Sequence, residues 1–456
     1  MIRLIDRKEE LKLLESDWKQ QKHGFIVVYG RRRIGKTALL SKFLEKKEGV
    51  KYTADDTNKK IQIREFKDSL AHFFKDEFLA TQDIGEWSAL FSYLSKTLPK
   101  DKKMYLWIDE FSYLIKTDAS ITSVLQKFID GWVRDSNIVF IVSGSLFGLM
   151  SEKILSHASP LYGRRTRDLL LQQLPLPYHK EFLNMNFEDT LKTTLTIGGI
   201  PEYLLRAAQN TAYNEFIQQE FFKKEGYFFR ELIFLLSQEF KEIKTYFSLL
   251  NAVAYGHTKP NEIAQFAGIN AKELYPYLEL LITYGFIKRQ VSLVGNTKRG
   301  IYVLNEPFID FWFNFVHKHR EQIENNTYAL GKDELHQFLG KRFEMLIREN
   351  LMLFIKGFEK SGRWWYNDAE IDIIALNETK KEMLIGECKW QENVESEKLL
   401  QHLEETAKNV RWHNDERKES YALFAKSFKN KVTSWNKKQV LCFDLKDIEK
   451  ALQKAT

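Results

Sequence analysis

The chain has 456 residues, of which 44% are hydrophobic and 29% charged, as in a globular protein, so composition excludes a disordered chain. Its two cysteines, Cys388 and Cys442, are too few for a disulfide framework or a zinc site. No apolar run approaches the roughly 20 residues of a membrane-spanning helix, and the charged N-terminus lacks the apolar core of a signal peptide. We therefore expect a cytoplasmic protein without a membrane partner. The net charge of +7 mildly favours an anionic partner.

The first 175 residues alternate between apolar strands and helical stretches. Strand-like runs begin at Gly24, Met104 and Ile138, and each is apolar on both faces. Such strands, separated by helices, indicate a parallel sheet covered on both sides. The sequence therefore predicts an α/β core over residues 1–175.

A phosphate-binding loop follows the first strand. The pattern G-x-x-x-x-G-K-[ST] fits Gly30, Gly35, Lys36 and Thr37 and lies between a strand and a helix, as its function requires. Successive loop amides and the helix N-terminus would face the phosphates, Lys36 would reach the β- and γ-phosphates, and the Thr37 hydroxyl would bind magnesium. The motif therefore predicts ATP or ADP with Mg²⁺ as cofactors. The nucleotide-binding residues are Gly30, Arg31, Arg32, Arg33, Ile34, Gly35, Lys36, Thr37 and Ala38.

An acidic pair, Asp109 and Glu110, ends the second strand-like run. Alone, such a pair is as often a solvated turn as a site. Beside a phosphate loop, it is typical of the second half of an ATP-hydrolysing site. Asp109 would hold magnesium through water, and Glu110 would polarise the attacking water.

In combination, these motifs resemble the archaeal-type ATPases of the AAA+/STAND group over roughly residues 1–300. The resemblance implies that Ser143 or Ser145 senses the γ-phosphate, and we take Ser143 as part of the nucleotide site. It also implies that Arg164 or Arg165 is an arginine finger, which in trans requires a homo-oligomer. A strand-end cap for the serines and a solvated basic turn for the arginines are the alternatives. The matching stretches are Met1–Glu10, Gly30–Thr37, Ile108–Phe111, Val142–Ser145, Pro160–Thr166 and Gly198–Tyr203.

The middle of the chain is helical. Residues 176–240 suggest a helical lid, 241–305 follow the helix–helix–helix–hairpin order of a winged helix, and 306–336 suggest connecting helices. Pro276 must kink the third helix of the winged helix or lie in its first turn.

The last section, residues 337–456, begins with a helix from Gln337 to Phe354 and continues with a hairpin. The hairpin carries Asp372 on one strand and Glu387 and Lys389 on the next, the latter two on one face because strand side chains alternate. Carboxylates at Asp372 and Glu387 can bind a divalent cation, and a lysine can stabilise charge during phosphodiester hydrolysis. A surface hairpin of alternating charge is the alternative.

This section resembles the PD-(D/E)xK nuclease core. By that resemblance Glu344, Asp372, Glu387 and Lys389 are catalytic, and Gln391 or Gln401 supplies a further polar group. The predicted fold is α/β: a parallel-sheet P-loop ATPase core, a helical lid and winged helix, and a restriction-endonuclease-like C-terminal domain. Such a nuclease fold can also be inactive.

Two functions compete. One is an ATPase coupled to DNA recognition or processing. The other is a nucleotide-gated signalling switch whose C-terminal modules bind protein. The segment Lys272–Glu279 has two glutamates and no arginine, which disfavours reading of base edges. Lys288, Arg289, Lys298 and Arg299 favour contact with DNA phosphates instead.

Overall fold

The structure, a computed structural model, describes residues 4–20, 23–145, 147–295 and 299–455. Lys298 of the predicted wing and the first three residues of the Met1–Glu10 stretch lie outside these ranges. The chain divides into two units, residues 1–173 and 174–456. Within the described ranges, no helix has both the length and the apolar character that crossing a bilayer requires.

The first unit is built on a five-stranded parallel sheet with the strand order β2-β3-β4-β1-β5. Every residue of the central strands β1 and β4 is buried, as their apolar sequences predict. The strands are β1 Gly24–Tyr29, β2 Gly49–Thr53, β3 Met104–Asp109, β4 Ile138–Gly144 and β5 Arg167–Leu170. The helices are α1 Lys8–Gln20, α2 Lys36–Leu44, α3 Lys59–Phe74, α4 Glu77–Thr81, α5 Trp87–Thr97, α6 Ser112–Thr117, α7 Ile121–Gly131 and α8 Phe147–Met150.

The strand register brings the polar residues at the ends of β1, β3 and β4 to one edge of this sheet. β4 lies between β1 and β3, with Tyr29 opposite Gly144 and Ile108 opposite Val142. The loop after β1, the acidic pair after β3 and the serines of β4 therefore meet at the carboxyl edge, where open parallel sheets bind ligands.

The sequence pattern does not predict two strands of this sheet. β2 and β5 are its outer strands, and in β5 only Leu169 is buried. An edge strand needs no continuous apolar run, so the signal that reveals β1, β3 and β4 is missing. The N-terminal helix α1 begins at Lys8, directly after Asp6 and Arg7, which have positive φ angles of 60° and 68°.

The second unit begins with helices and a small antiparallel sheet. After three helices, α13 to α15, the hairpin of β6 and β7 follows, and Pro276 lies in the first turn of α15. The helices up to the last sheet are α9 Phe187–Ile197, α10 Pro201–Ala207, α11 Tyr213–Glu220, α12 Tyr227–Glu239, α13 Ile243–Ala254, α14 Pro260–Ala267, α15 Leu274–Thr283, α16 Pro307–Phe311, α17 Arg320–Glu324, α18 Lys332–Glu349 and α19 Leu351–Phe354. The hairpin strands are β6 Ile287–Gln290 and β7 Ile301–Leu304.

A six-stranded mixed sheet completes the second unit, in the order β14-β15-β12-β10-β9-β8. β8, β9 and β10 are antiparallel, whereas β12 runs parallel to β10 and β15 parallel to β12. The strands are β8 Lys360–Tyr366, β9 Ala369–Asn377, β10 Glu382–Lys389, β11 Val394–Glu395, β12 Lys418–Ala425, β13 Phe428–Asn430, β14 Ser434–Trp435 and β15 Lys438–Phe443. Two helices, α20 Ser396–Ala407 and α21 Leu445–Lys454, follow β11 and β15.

The helix predicted from Gln337 to Phe354 is in fact two. α18 ends at Glu349, and Asn350 leaves the helical conformation with its side-chain amide donating to the Leu346 carbonyl at 2.9 Å. Asparagine readily competes with the helix backbone in this way.

Candidate functional site

The loop from Gly30 to Gly35 joins the end of β1 to the start of α2. Gly30 has a φ of 148°, and a Cβ there would lie 2.5 Å from the Leu171 carbonyl oxygen. Gly35, at the helix N-cap, has a φ of 93°. Both positions favour glycine, because L side chains are strained in that region. The loop thus delivers its backbone directly to the positive end of a helix, where anions bind.

Lys36 folds over this loop. Its ammonium donates to the carbonyls of Gly30 at 3.0 Å and Arg31 at 2.9 Å, and the residue is buried. The Arg32 guanidinium donates to the Tyr113 hydroxyl at 2.8 Å. The ammonium group of Lys36 therefore lies directly on the backbone of the phosphate loop.

Asp109 accepts hydrogen bonds from several groups at the carboxyl edge of the sheet. Its Oδ2 accepts the Thr37 hydroxyl at 2.9 Å, and its Oδ1 accepts the Ser143 hydroxyl at 2.6 Å and the Glu110 amide at 3.1 Å. The Lys51 ammonium lies 3.6 Å from Oδ2. Each oxygen thus has its own donors, so the carboxylate has one orientation, with Thr37 beside it.

Glu110 has a positive φ of 51°, a conformation that is uncommon outside glycine. The Ser145 hydroxyl donates to Glu110 Oε2 at 2.6 Å. The backbone turn and this contact together fix the glutamate beside Asp109. Strained backbone of this kind is frequent at functional sites.

Ser143 is engaged within the protein. Its oxygen accepts the indole N–H of Trp107 at 2.7 Å while its own hydrogen goes to Asp109, and it is fully buried. Contact with a γ-phosphate would break that hydrogen bond. Sequence reasoning missed both Trp107 and Lys51. Strand alternation could have found Trp107, two residues before Asp109 and so on the same face.

The two arginines differ in their surroundings. The Arg164 Nε donates to both carboxylate oxygens of Asp130, at 3.0 and 2.9 Å, and its NH1 donates to the Pro160 carbonyl at 2.8 Å. The Arg165 guanidinium lies 5.9 Å from the ring centroid of Tyr162. Arg164 is therefore committed to its own chain, which makes Arg165 the better finger candidate.

The structure brings together the four predicted residues of the last section. β9 and β10 pair with Gly386 opposite Ile373, and Asp372 and Glu387 are the next residues outward. Asp372 Oδ2 accepts the Cys388 amide at 3.0 Å, and the Lys389 ammonium donates to Glu387 Oε1 at 2.6 Å. Glu344 approaches from α18, close enough for the Asp372 charge to affect its titration.

Burial and mutual repulsion shape the titration of this carboxylate cluster, defined as Glu344, Asp372 and Glu387. Burial and the Asp372 charge raise the pKa of Glu344 to about 8 and that of Glu387 to about 7. Burial also raises the pKa of Asp372. Burial disfavours the charge on Lys389, but the carboxylates of Glu387, Asp372 and Glu344 together outweigh burial and raise the lysine pKa. Such a cluster is costly to ionise unless a cation joins it.

Two further arginines belong to this region, and sequence reasoning missed them. Arg348 lies one helical turn after Glu344 and donates to the Asp372 carbonyl at 2.8 Å, and the charge of Arg363 on β8 partly offsets the rise in the Glu344 pKa. Helical spacing from Glu344 could have revealed Arg348. Gln391 and Gln401 are both exposed. In the described part of the chain, no three His, Cys, Asp or Glu residues are arranged to hold a metal.

The hairpin of the predicted winged helix packs on its own unit. The Leu293 amide donates to the Arg363 carbonyl at 2.9 Å, and Val294 belongs to the core of the six-stranded sheet. Lys288 forms an ion pair with Glu349, and burial together with Arg342 and Arg348 lowers the lysine pKa to about 7. Lys288 is thus engaged by a carboxylate of its own unit, and its contact with DNA phosphate stays a prediction.

Comparison with known proteins identifies the family. The chain is 33% identical over 460 residues to the uncharacterized protein MJECL04 of Methanocaldococcus jannaschii, covering 97% of this chain and 99% of that one. The chain belongs to the MJECL04 family. Residues 4–206 match the model of an ATPase domain predominantly from Archaea, and residues 312–401 match a family of archaeal and bacterial proteins of unknown function. This chain therefore joins an archaeal-type ATPase domain to a second matched region of unknown function.

Solved structures resemble this chain more distantly. The Walker-type ATPase PABY2304 of Pyrococcus abyssi is 19% identical with a TM-score of 0.49, over 68% of this chain and 96% of that one. The Aeropyrum pernix ORC2 protein, solved as ADPNP–ADP complexes, is 11% identical with a TM-score of 0.45, over 72% and 96%.

Proposed function

We propose that the first unit is a magnesium-dependent ATPase. The observation that carries this proposal is the 2.9 Å hydrogen bond from Thr37 to Asp109, which joins the phosphate loop to the acidic strand end. A hydroxyl and a carboxylate at one point are oxygen donors of the kind that magnesium prefers. When bound, magnesium neutralises charge on the β- and γ-phosphates.

The chain's own residues divide the remaining work. Lys36, now on the loop carbonyls, turns to the phosphate oxygens that the loop amides hold. Glu110, fixed by Ser145, accepts a hydrogen bond from the attacking water and orients it. Arg165 supplies positive charge at the γ-phosphate of a second copy. Release of phosphate from ATP by the purified chain, abolished in Glu110→Gln, tests this proposal.

For the second unit we propose metal-dependent hydrolysis of DNA phosphodiesters. Its support is the placement of Asp372 and Glu387 side by side, with Lys389 bonded to Glu387 at 2.6 Å. Two buried carboxylates that repel one another fit a hard divalent cation, whose other positions go to water and a phosphate oxygen. Cleavage of linear, circular and single-stranded DNA with Mg²⁺ or Mn²⁺, with and without ATP, tests it. Asp372→Ala and Lys389→Ala should each remove the activity.

The alternative is a nucleotide-gated switch whose second unit binds protein. The docked hairpin favours it, since Val294 and Lys288 serve the packing of the unit. Tyr275, in the first turn of α15, is 52% exposed and lies between Glu273 and Glu279 in the sequence, a surface better suited to protein than to DNA phosphates. Absence of DNA binding and cleavage under every metal, together with ATP-dependent capture of a protein partner, would establish this alternative.

A further inference from the structure

Trp107 reaches Asp109 through a serine. It lies on β3 two residues before Asp109, so both side chains project from the same face of the strand. The Trp107 Nε1 donates to Ser143 Oγ at 2.7 Å, and Ser143 Oγ donates to Asp109 Oδ1 at 2.6 Å. All three residues are buried. An indole N–H can only donate, so it fixes the direction in which the Ser143 hydrogen points.

The face of the same ring contacts Lys51, which is paired with Trp107 in the β2–β3 register. The Lys51 ammonium lies 4.3 Å from the ring centroid and 3.6 Å from Asp109 Oδ2. The N–H at the edge of the Trp107 ring therefore orients the Ser143 hydroxyl on Asp109 Oδ1. The face of the same ring contacts the Lys51 ammonium near Oδ2. Cations are attracted to the face of an aromatic ring by its quadrupole.

We propose that Trp107 is a positioning residue for Asp109 in magnesium-dependent nucleotide binding, an inference that rests on the ATPase function proposed above. Asp109 must present Oδ2 toward Thr37. Ser143 and the Glu110 amide occupy Oδ1 and leave Oδ2 for that purpose. Without the indole N–H, the buried Ser143 hydroxyl can rotate away, and Asp109 Oδ1 loses the shorter of its two hydrogen bonds and keeps only that from the Glu110 amide.

Trp107→Phe tests this role, because it removes the N–H and keeps an aromatic ring. Binding of a fluorescent ADP is measured as a function of free Mg²⁺, together with metal-free affinity and melting temperature. We expect the Mg²⁺ concentration at half-effect to rise about fivefold, as for loss of one hydrogen bond, with metal-free ADP affinity unchanged. Trp87→Phe is the matched control, since Trp87 is also buried in this unit and its indole N–H has no partner among the described residues.

A double-mutant cycle with Ser143→Ala separates positioning from general packing. If Trp107 acts through Ser143, adding Trp107→Phe to Ser143→Ala raises the Mg²⁺ requirement no further. Additive effects, or an unchanged Mg²⁺ requirement in Trp107→Phe, would overturn the inference. Failure of the unsubstituted protein to bind ADP at all would instead overturn the proposed ATPase function, so the two failures are distinguishable.

Discussion

The Thr37 hydroxyl donates to Asp109 Oδ2 at 2.9 Å, across 72 positions of sequence. Thr37 lies in the first turn of α2, and Asp109 ends β3, which is separated from β1 by β4 in the sheet. Their contact brings the two short motifs of this ATPase domain side by side.

Lys36→Ala should weaken ATP binding about 10- to 100-fold, because it removes a charged hydrogen-bond donor from the phosphate loop. Equilibrium titration with a fluorescent ATP analogue measures the effect. Lys42→Ala is the control, since Lys42 is on the same helix, is exposed and pairs with Glu45 at 2.8 Å. Equal affinity in Lys36→Ala and the parent would assign the phosphates to another site.

Glu110→Gln should keep ATP binding and slow hydrolysis about 100-fold or more, the usual contribution of a positioned general base. The amide preserves the shape and can still bond to Ser145, but it accepts no proton. Single-turnover phosphate release separates the chemical step from binding. A rate equal to that of the exposed control Glu45→Gln would give the water-polarising role to a different residue.

Arg165→Ala should lower the hydrolysis rate with little change in melting temperature. Arg164→Ala should lower the melting temperature, because it leaves Asp130 without its bidentate partner. If Arg165 acts in trans, the rate per chain rises with protein concentration in the parent and is flat in Arg165→Ala. A parental rate that is independent of concentration argues against a finger in trans.

The carboxylate cluster should make stability depend on pH. Folded pKa values of about 8 for Glu344 and about 7 for Glu387 lie above those of unfolded glutamate. Between the pKa of unfolded glutamate, about 4.3, and these folded values the folded state holds more protons, so stability falls as pH rises, by up to about 1.4 kcal/mol per pH unit for each proton released. Without metal, the melting temperature should fall from about pH 4.5 to about pH 8 and level off above that.

Asp372→Asn should flatten this fall, because the Asp372 charge helps to raise both glutamate pKa values. Added Mg²⁺ should restore the melting temperature at pH 8.5 in the parent and not in Asp372→Asn. The exposed Glu397→Gln on α20 is the control and should follow the parent. An identical pH profile in Asp372→Asn would show that the cluster does not govern this stability.

Arg299→Ala and Lys288→Met should differ in DNA binding. Arg299 is exposed, whereas Lys288 is half-buried and pairs with Glu349. If the hairpin contacts phosphate, Arg299→Ala reduces the salt dependence of binding by about one counterion, and Lys288→Met leaves it unchanged. Equal salt dependence in Arg299→Ala and the parent would remove the hairpin from the DNA-binding surface.

The sequence alone determined the central strands, the phosphate loop and the hairpin of Asp372 and Glu387. Each of these depends on short-range chemistry. Buried strands need continuous apolar runs, the loop needs glycine at Gly30 and Gly35, and alternation places Glu387 and Lys389 on one face. Such constraints act between residues a few positions apart, so they can be read along the chain.

Only the tertiary structure decided the partners of these groups. Trp107 meets Ser143 through the pairing of β3 with β4, Arg164 finds Asp130 on α7, and the hairpin that carries Lys288 packs against α18 and β8. These contacts join residues far apart in sequence. They depend on strand register and helix packing, which no local pattern of side chains specifies.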